Sequence, residues 1–185
     1  EETWRAMHRS PALGRFDPAL AHILPVGEKT VIGDLCVQSV STPHDAVDPV
    51  GYRIESGNRN VSVFTDLGHA SPALTTLLGD SDLLFFESNY DYDMLYNGPY
   101  PWHLKRRIGG SNGHLSNTDC AVALQSLLRS GVSRFVLSHL SQENNTPALA
   151  RTAAVAGLEA CGATEGTDYL LEIAPRYTPG KIWEL

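Results

Sequence analysis

Three features of the 185-residue sequence predict an α/β fold. Two strand-turn-strand patterns lie between Lys29 and Thr65, strand and helix patterns alternate from Asp66 onward, and 42% of the residues are hydrophobic, enough to bury a core. Thr3 to His8 reads as the end of an amphipathic helix, halted at Ser10-Pro11 because a residue preceding proline is pushed out of the helical region. Lys29-Ile32 and Leu35-Val40 flank Gly33-Asp34, a turn dipeptide between β-branched runs, and read as a hairpin. Val50-Glu55 and Val61-Thr65 flank Gly57-Asn58-Arg59-Asn60 and read as a second.

Beyond Asp66 the period changes. Ser71 followed by Pro72 is an N-cap with proline at the first helical position, and Leu74, Leu77 and Leu78 form the apolar stripe that ends near Gly79. Leu83-Glu87 is a short apolar run, as a strand buried on both faces should be. Asn117 is read as the cap of a helix that closes at Gly131, Arg134-Ser138 as the next strand, Thr146-Pro147 as the start of a helix through Ala160, and Tyr169-Ile173 as the last strand. The order implies an α/β sandwich with mixed sheets in one domain spanning 1–185, with no repeat or linker.

Composition narrows the functional classes. The formal net charge of -7 argues against a broad basic surface for nucleic acid but allows a local phosphate site. No apolar run approaches the ~20 residues of a membrane helix. Cys36, Cys120 and Cys161 are odd in number and never spaced as CxxC, which disfavours a disulfide framework or a zinc ribbon and fits a reducing cytoplasm; all three fall in apolar patterns and are expected to be core thiols. The chain opens without Met inside a helical pattern, so a preceding segment is expected.

Ligands of α/β sheets gather where strands end at their carboxyl edge. Asp66, Glu87 and His139 each follow a buried strand, and His44 lies just past Val40. Two imidazoles and a carboxylate at one edge suit a borderline metal such as zinc. Taken singly, such residues are more often strand-end caps or hydrogen-bonded core histidines. Successive histidines are never closer than 11 residues, so no HxH or HExxH pair presents two imidazoles from one segment.

Five strings in order carry more information: Phe64-Thr65-Asp66-Leu67-Gly68-His69, Phe86-Glu87-Ser88-Asn89, Leu104-Lys105-Arg106-Arg107-Ile108, Gly113-His114-Leu115-Ser116-Asn117, and Ser138-His139-Leu140-Ser141-Gln142-Glu143-Asn144-Asn145. Together they resemble the metallo-β-lactamase-fold hydrolases, and within them the YycJ/WalJ-type branch, which is similar to tRNase Z and phosphodiesterase-like members. The resemblance runs from Trp4 to the C-terminus. It implies an αββα sandwich whose N-terminal strands are missing here, so that residues 1–185 are the C-terminal portion of one domain. It further implies that His44, Asp66 and His139 are metal ligands, with Asp66 bridging two divalent ions (Zn or Mn), and that Glu87 pairs with His114 to protonate a leaving oxygen. The implied activity is hydrolysis of phosphodiesters, as a DNA exonuclease.

Two departures qualify the likeness. The family's HxHxDH loop is absent from these residues, so half of the metal site is expected to be missing and the isolated chain to hold two ions incompletely or not at all. Where the branch tends to carry Asn-His-Asp after the glutamate, this chain has Asn89-Tyr90-Asp91. Lys105, Arg106 and Arg107 are expected either to contact a DNA backbone or to be a solvated helix face. Tyr90, Tyr92, Tyr96, Tyr100 and Trp102 either stack on bases or pack beneath a loop. His8, His22, His69 and His103 match no motif. Rival functions are a thioester, lactone or cyclic-nucleotide hydrolase on the same scaffold, and a catalytically silent chain.

Overall fold

The structure, a computed structural model, describes residues 2–14 and 17–185. Helix α1 (Glu2–Arg9) and two 3-10 turns (Pro11–Leu13 and Pro18–Leu20) precede strands β1 (Lys29–Ile32), β2 (Leu35–Ser41), β3 (Val50–Ser56) and β4 (Arg59–Phe64). Then come α2 (Pro72–Leu78), β5 (Leu83–Glu87), α3 (Tyr92–Asn97), α4 (Trp102–Ile108), α5 (Asn117–Ser130), β6 (Arg134–Ser138), α6 (Pro147–Ala160) and β7 (Leu170–Ile173).

All seven strands join one mixed sheet in sequence order, β1-β2-β3-β4-β5-β6-β7. The β1–β4 pairings are antiparallel: two-residue turns at Gly33-Asp34 and Gly57-Asn58 reverse the chain between β1 and β2 and between β3 and β4, and residues 42–49 do so between β2 and β3; Gly33 and Gly57 sit at φ +65° and +58°, where a residue with a Cβ would be strained. From β4 to β7 the pairings are parallel, as helical crossovers require. The α/β class is as the sequence predicts. Among the described residues, however, the strands form a single sheet where separate mixed sheets were expected, and the second turn is shorter than predicted because Arg59 and Asn60 already pair with Ser56 and Glu55.

Alternating residues of the parallel strands, Phe64, Leu84, Phe86, Phe135, Leu137 and Leu171, pack with Leu74 and Leu78 of α2, Leu124 and Leu127 of α5, and Ala154 and Leu158 of α6. Truncating a fully buried side chain such as Leu124 to Ala would cost about 2–5 kcal/mol. The helices are fixed at their starts: Ser71, Ser116 and Thr146 accept from the main-chain N–H groups of Leu74, Asp119 and Leu149. Ser116, not Asn117, therefore caps α5; it also donates to the Asp119 carboxylate, closing a reciprocal box that leaves the Asn117 side chain free for another task. With the parallel strands held by α2, α5 and α6, their carboxyl ends open on one edge.

Candidate metal centre

The chain leaves β4 and β6 through left-handed turns. Asp66 has φ +57° and His139 φ +56°, a conformation that costs a residue with a Cβ about 1–2 kcal/mol. Neighbouring loops hold both turns in place. Asn89 donates its side-chain N–H to the His139 carbonyl oxygen (2.7 Å), and the Ser141 N–H reaches the Asn89 oxygen (2.8 Å). Two residues after Asp66, Gly68 donates to the Pro43 oxygen and passes so close to the His114 loop that a Cβ on it would lie 2.1 Å from the Ser111 carbonyl oxygen.

Glu87, at the end of β5, is fully buried and joins four segments. One carboxylate oxygen accepts from Nδ1 of both His114 and His139, each at 2.8 Å; the other accepts from the main-chain N–H groups of Leu67 and Leu115. Burial pushes this carboxyl up, but the hydrogen bonds from His114, His139 and Leu67 outweigh it and hold Glu87 below its ordinary range, so it is ionised at neutral pH. The hydrogen bond to Glu87, aided by its charge, in turn raises His139 against the opposing effect of burial. Behind it, Ser88, Asn117 and Asn145 form a buried polar network in which Asn145 also reaches the Ser88 and Asn89 carbonyl oxygens.

His44, past β2, places Nδ1 2.8 Å from the Gly113 carbonyl oxygen and Nε2 3.4 Å from Asp66 Oδ1. The same aspartate oxygen lies 3.9 Å from His114 Nδ1 and 3.8 Å from His139 Nδ1. The three rings stand in a row, with centroids 4.9 Å (His44–His114) and 5.3 Å (His114–His139) apart. Carbonyl and carboxylate oxygens can only accept, so Nδ1 of all three rings carries a proton, and in the neutral ring Nε2 keeps its lone pair. That is the tautomer a metal requires, with the supporting acceptor supplied by the protein. Ligand atoms of His44, Asp66 and His114, and of Glu87, His114 and His139, lie within 4.8 Å of one another. The donor set fits a divalent ion of the zinc class.

The structure thus brings His44, Asp66, Glu87, His114 and His139 to one edge, although His114 and His139 share the glutamate contact that the sequence reading gave to His114 alone. The basic triplet is not brought together. Lys105 is only 9% exposed and its ammonium donates to the carbonyl oxygens of Tyr96 and Gly98, closing the end of α3, which corrects the expectation that it faces solvent or DNA. Arg107 forks onto Asp45 at 2.6 and 2.9 Å, and Arg106 is exposed. Tyr90 is buried while Tyr92 and Trp102 are exposed, with Tyr96 between them at 4.4 and 6.0 Å. Of the cysteines, Cys120 is a core thiol, pushed by burial up to about 12, Cys161 is partly buried and packs against the core, and Cys36 is partly exposed at the β1–β2 side of the sheet.

A cavity of about 400 Å³ opens over the cluster, walled by Asp66, His114, His139, Tyr100, Arg107 and Arg176, among others. Sequence reasoning missed Asp45, Asn89 and Arg176. Asp45 adjoins His44 and Asn89 lies in a string already quoted, so both had a signal; Arg176, near the C-terminus, had none.

A seven-stranded mixed sheet with imidazoles and carboxylates at its parallel edge places the chain among metallo-β-lactamase-fold proteins. The chain belongs to the beta-lactamase superfamily domain family, whose family model matches residues 2–140. It is 36% identical over 169 residues to exodeoxyribonuclease WalJ of Streptococcus pneumoniae (91% of this chain, 63% of that protein) and 34% identical over 182 residues to exodeoxyribonuclease YycJ of Bacillus anthracis (98% and 68%). It therefore spans about two thirds of the length of the relatives it matches. Among solved structures it is similar to the metallo-beta-lactamase fold protein YhfI of Bacillus subtilis (TM-score 0.62, 18% identity, 87% of this chain and 54% of that chain) and to Zn(2+)-bound PqqB of Methylobacterium extorquens (TM-score 0.60, 20% identity, 88% and 55%), which bear on the fold alone.

Proposed function

We propose that the chain carries carboxyl-edge metal ligands and the proton donor of a metal-dependent phosphodiesterase that acts on DNA. The observation that carries this reading is the row of three imidazoles, each with Nδ1 fixed on an oxygen acceptor, facing the single carboxylate of Asp66. The names of the WalJ and YycJ relatives supply the DNA substrate and exonucleolytic action.

His44, Asp66 and His139 would hold divalent metal, Zn or Mn. Such an ion lowers the pKa of a coordinated water to roughly 7 and offsets charge on phosphodiester oxygens. Within the protein, Glu87 keeps the Nδ1 proton of His114 and fixes the ring's orientation. When protonated, His114 presents an Nε2–H to a departing oxygen, a general-acid role worth about a hundredfold or more. Tyr100 and Arg107 border the cavity in which the substrate would lie. Free cysteines and the lack of any helix, among the described residues, long and apolar enough to cross a membrane are compatible with cytoplasmic placement.

Two measurements test the reading. Zinc titrated into the purified chain should bind with a stoichiometry below two, and His139→Ala or Asp66→Ala should abolish that binding. The complete polypeptide, loaded with Zn or Mn, should degrade DNA, and His114→Ala should slow it at least a hundredfold while keeping its metal. A metal-loaded protein that leaves DNA intact and cleaves a thioester or lactone would replace this reading with another hydrolase.

A further inference from the structure

The candidate site has a charge problem. A polyanion must approach a cluster containing Asp66 and ionised Glu87 in a chain of net charge -7. Two of the three cations expected to help are engaged elsewhere: Lys105 caps α3, and Arg107 is held by Asp45 through Nε and one Nη, while Arg106 is exposed and does not border the cavity. Arg176, just past β7, differs from all three. It lies in the wall shared by the 400 Å³ cavity over the cluster and a neighbouring cavity of about 530 Å³, and His139, Leu140, Ser141 and Gln142 border both spaces.

One Nη of Arg176 donates to the carbonyl oxygen of Leu140, the residue after His139, so the guanidinium is held beside the cluster. Among the described residues no carboxylate pairs with it, and the centre of the Tyr177 ring lies 6.0 Å from the guanidinium carbon. An oriented guanidinium with most of its five N–H groups unassigned suits the bidentate recognition of a phosphate. The second cavity runs away from the reacting edge past Asn145, Pro147 and Ile173, with room for the next nucleotide.

The geometry points to Arg176 as a phosphate-binding residue that grips a backbone phosphate of single-stranded DNA beside the scissile linkage and sets the strand's path from the first cavity into the second. This deepens the functional reading above and rests on it. The contact is with phosphate, so it selects for a continued polynucleotide chain over a small thioester or cyclic nucleotide and carries no base preference.

The test is fluorescence anisotropy of the zinc-loaded chain with a labelled ten-nucleotide oligo-dT made nuclease-resistant by phosphorothioate linkages, at several salt concentrations. Arg176→Ala should weaken binding about tenfold and lower the magnitude of the log-log salt slope by about 0.7, the value for one contact on a single strand. Arg176→Lys should restore the slope but not the full affinity, because an ammonium keeps the charge and loses the fork. A neutral methylphosphonate scanned along the oligonucleotide should weaken the wild type at one linkage by as much as Arg176→Ala does, with no further loss there in the variant. Wild-type binding with an unchanged affinity and slope in Arg176→Ala overturns this proposal alone. A wild type that binds no oligonucleotide overturns the DNA reading as well.

Discussion

His44 holds its Nδ1 2.8 Å from the carbonyl oxygen of Gly113, the residue before His114. The ring that follows β2 is therefore pinned to the main chain that carries the second ring, while Glu87 pins the second ring to the third. Three remote stretches of sequence share one set of hydrogen bonds, and disturbing any link should reach all three.

Zinc should therefore stabilise the chain. A ligand that binds only the folded state at a hundred times its dissociation constant adds about 2.7 kcal/mol. Chemical denaturation with zinc and with chelator measures this directly. Glu87→Gln removes the charge and turns one of the two accepting oxygens into an NH2 donor facing either the histidines or the Leu67 and Leu115 N–H groups, and should reduce zinc affinity about 10- to 100-fold and cost about 3 kcal/mol without metal. An unchanged denaturation midpoint on adding zinc would sink the metal assignment.

The left-handed turn at His139 separates side-chain function from backbone strain. Both His139→Ala and His139→Gly lose the imidazole, so both should lose zinc. The glycine variant, free of the Cβ penalty at φ +56°, should be the more stable by about 1 kcal/mol in a urea melt. Equal stabilities would mean that the turn relaxes when the ring is removed.

Gly68 offers a steric test. A methyl group there meets the main-chain atoms of Ser111 and Asn112 rather than a movable side chain. Gly68→Ala should cost about 1–3 kcal/mol and weaken zinc binding as well, since the displaced loop carries Asp66. Denaturation and calorimetry on the same variant distinguish this from a purely local defect, which would leave zinc affinity intact.

At the opposite end of the strands, buried Arg53 pairs with Asp80 at 2.8 and 2.9 Å, and its guanidinium holds Asp80 below the ordinary carboxylate value. The folded pKa is the lower one, so the contribution is complete above the unfolded value of about 3.9 and disappears as pH falls through the folded value. Stability measured between about pH 5 and pH 2 should fall more steeply for the wild type than for Asp80→Asn. The difference should be modest, because the Asp80 side chain is largely exposed.

Most of the fold was legible because its signals are local. Gly33-Asp34 and Ser71-Pro72 announce a turn and a cap through their own backbone chemistry, and Phe86-Glu87 and Ser138-His139 put polar residues at the ends of apolar runs. What was not legible depends on partners distant in sequence. Lys105 reads as one of three surface cations until α3 presents its open carbonyl oxygens to it. Ser116 and Asn117 are both good caps, and only the buried network that claims the Asn117 side chain decides between them. The second tie on Glu87 was hidden too, since no spacing reveals that two histidines, at 114 and 139, will meet the same oxygen.

The strictly sequential order of the sheet has a consequence for biosynthesis. Each strand finds its neighbour as soon as the next one leaves the ribosome, without waiting for a distant segment to return. His44, Asp66, Glu87 and His114 are thus delivered one after another onto a growing edge, and the set proposed to hold an ion is complete when the turn carrying His139 arrives.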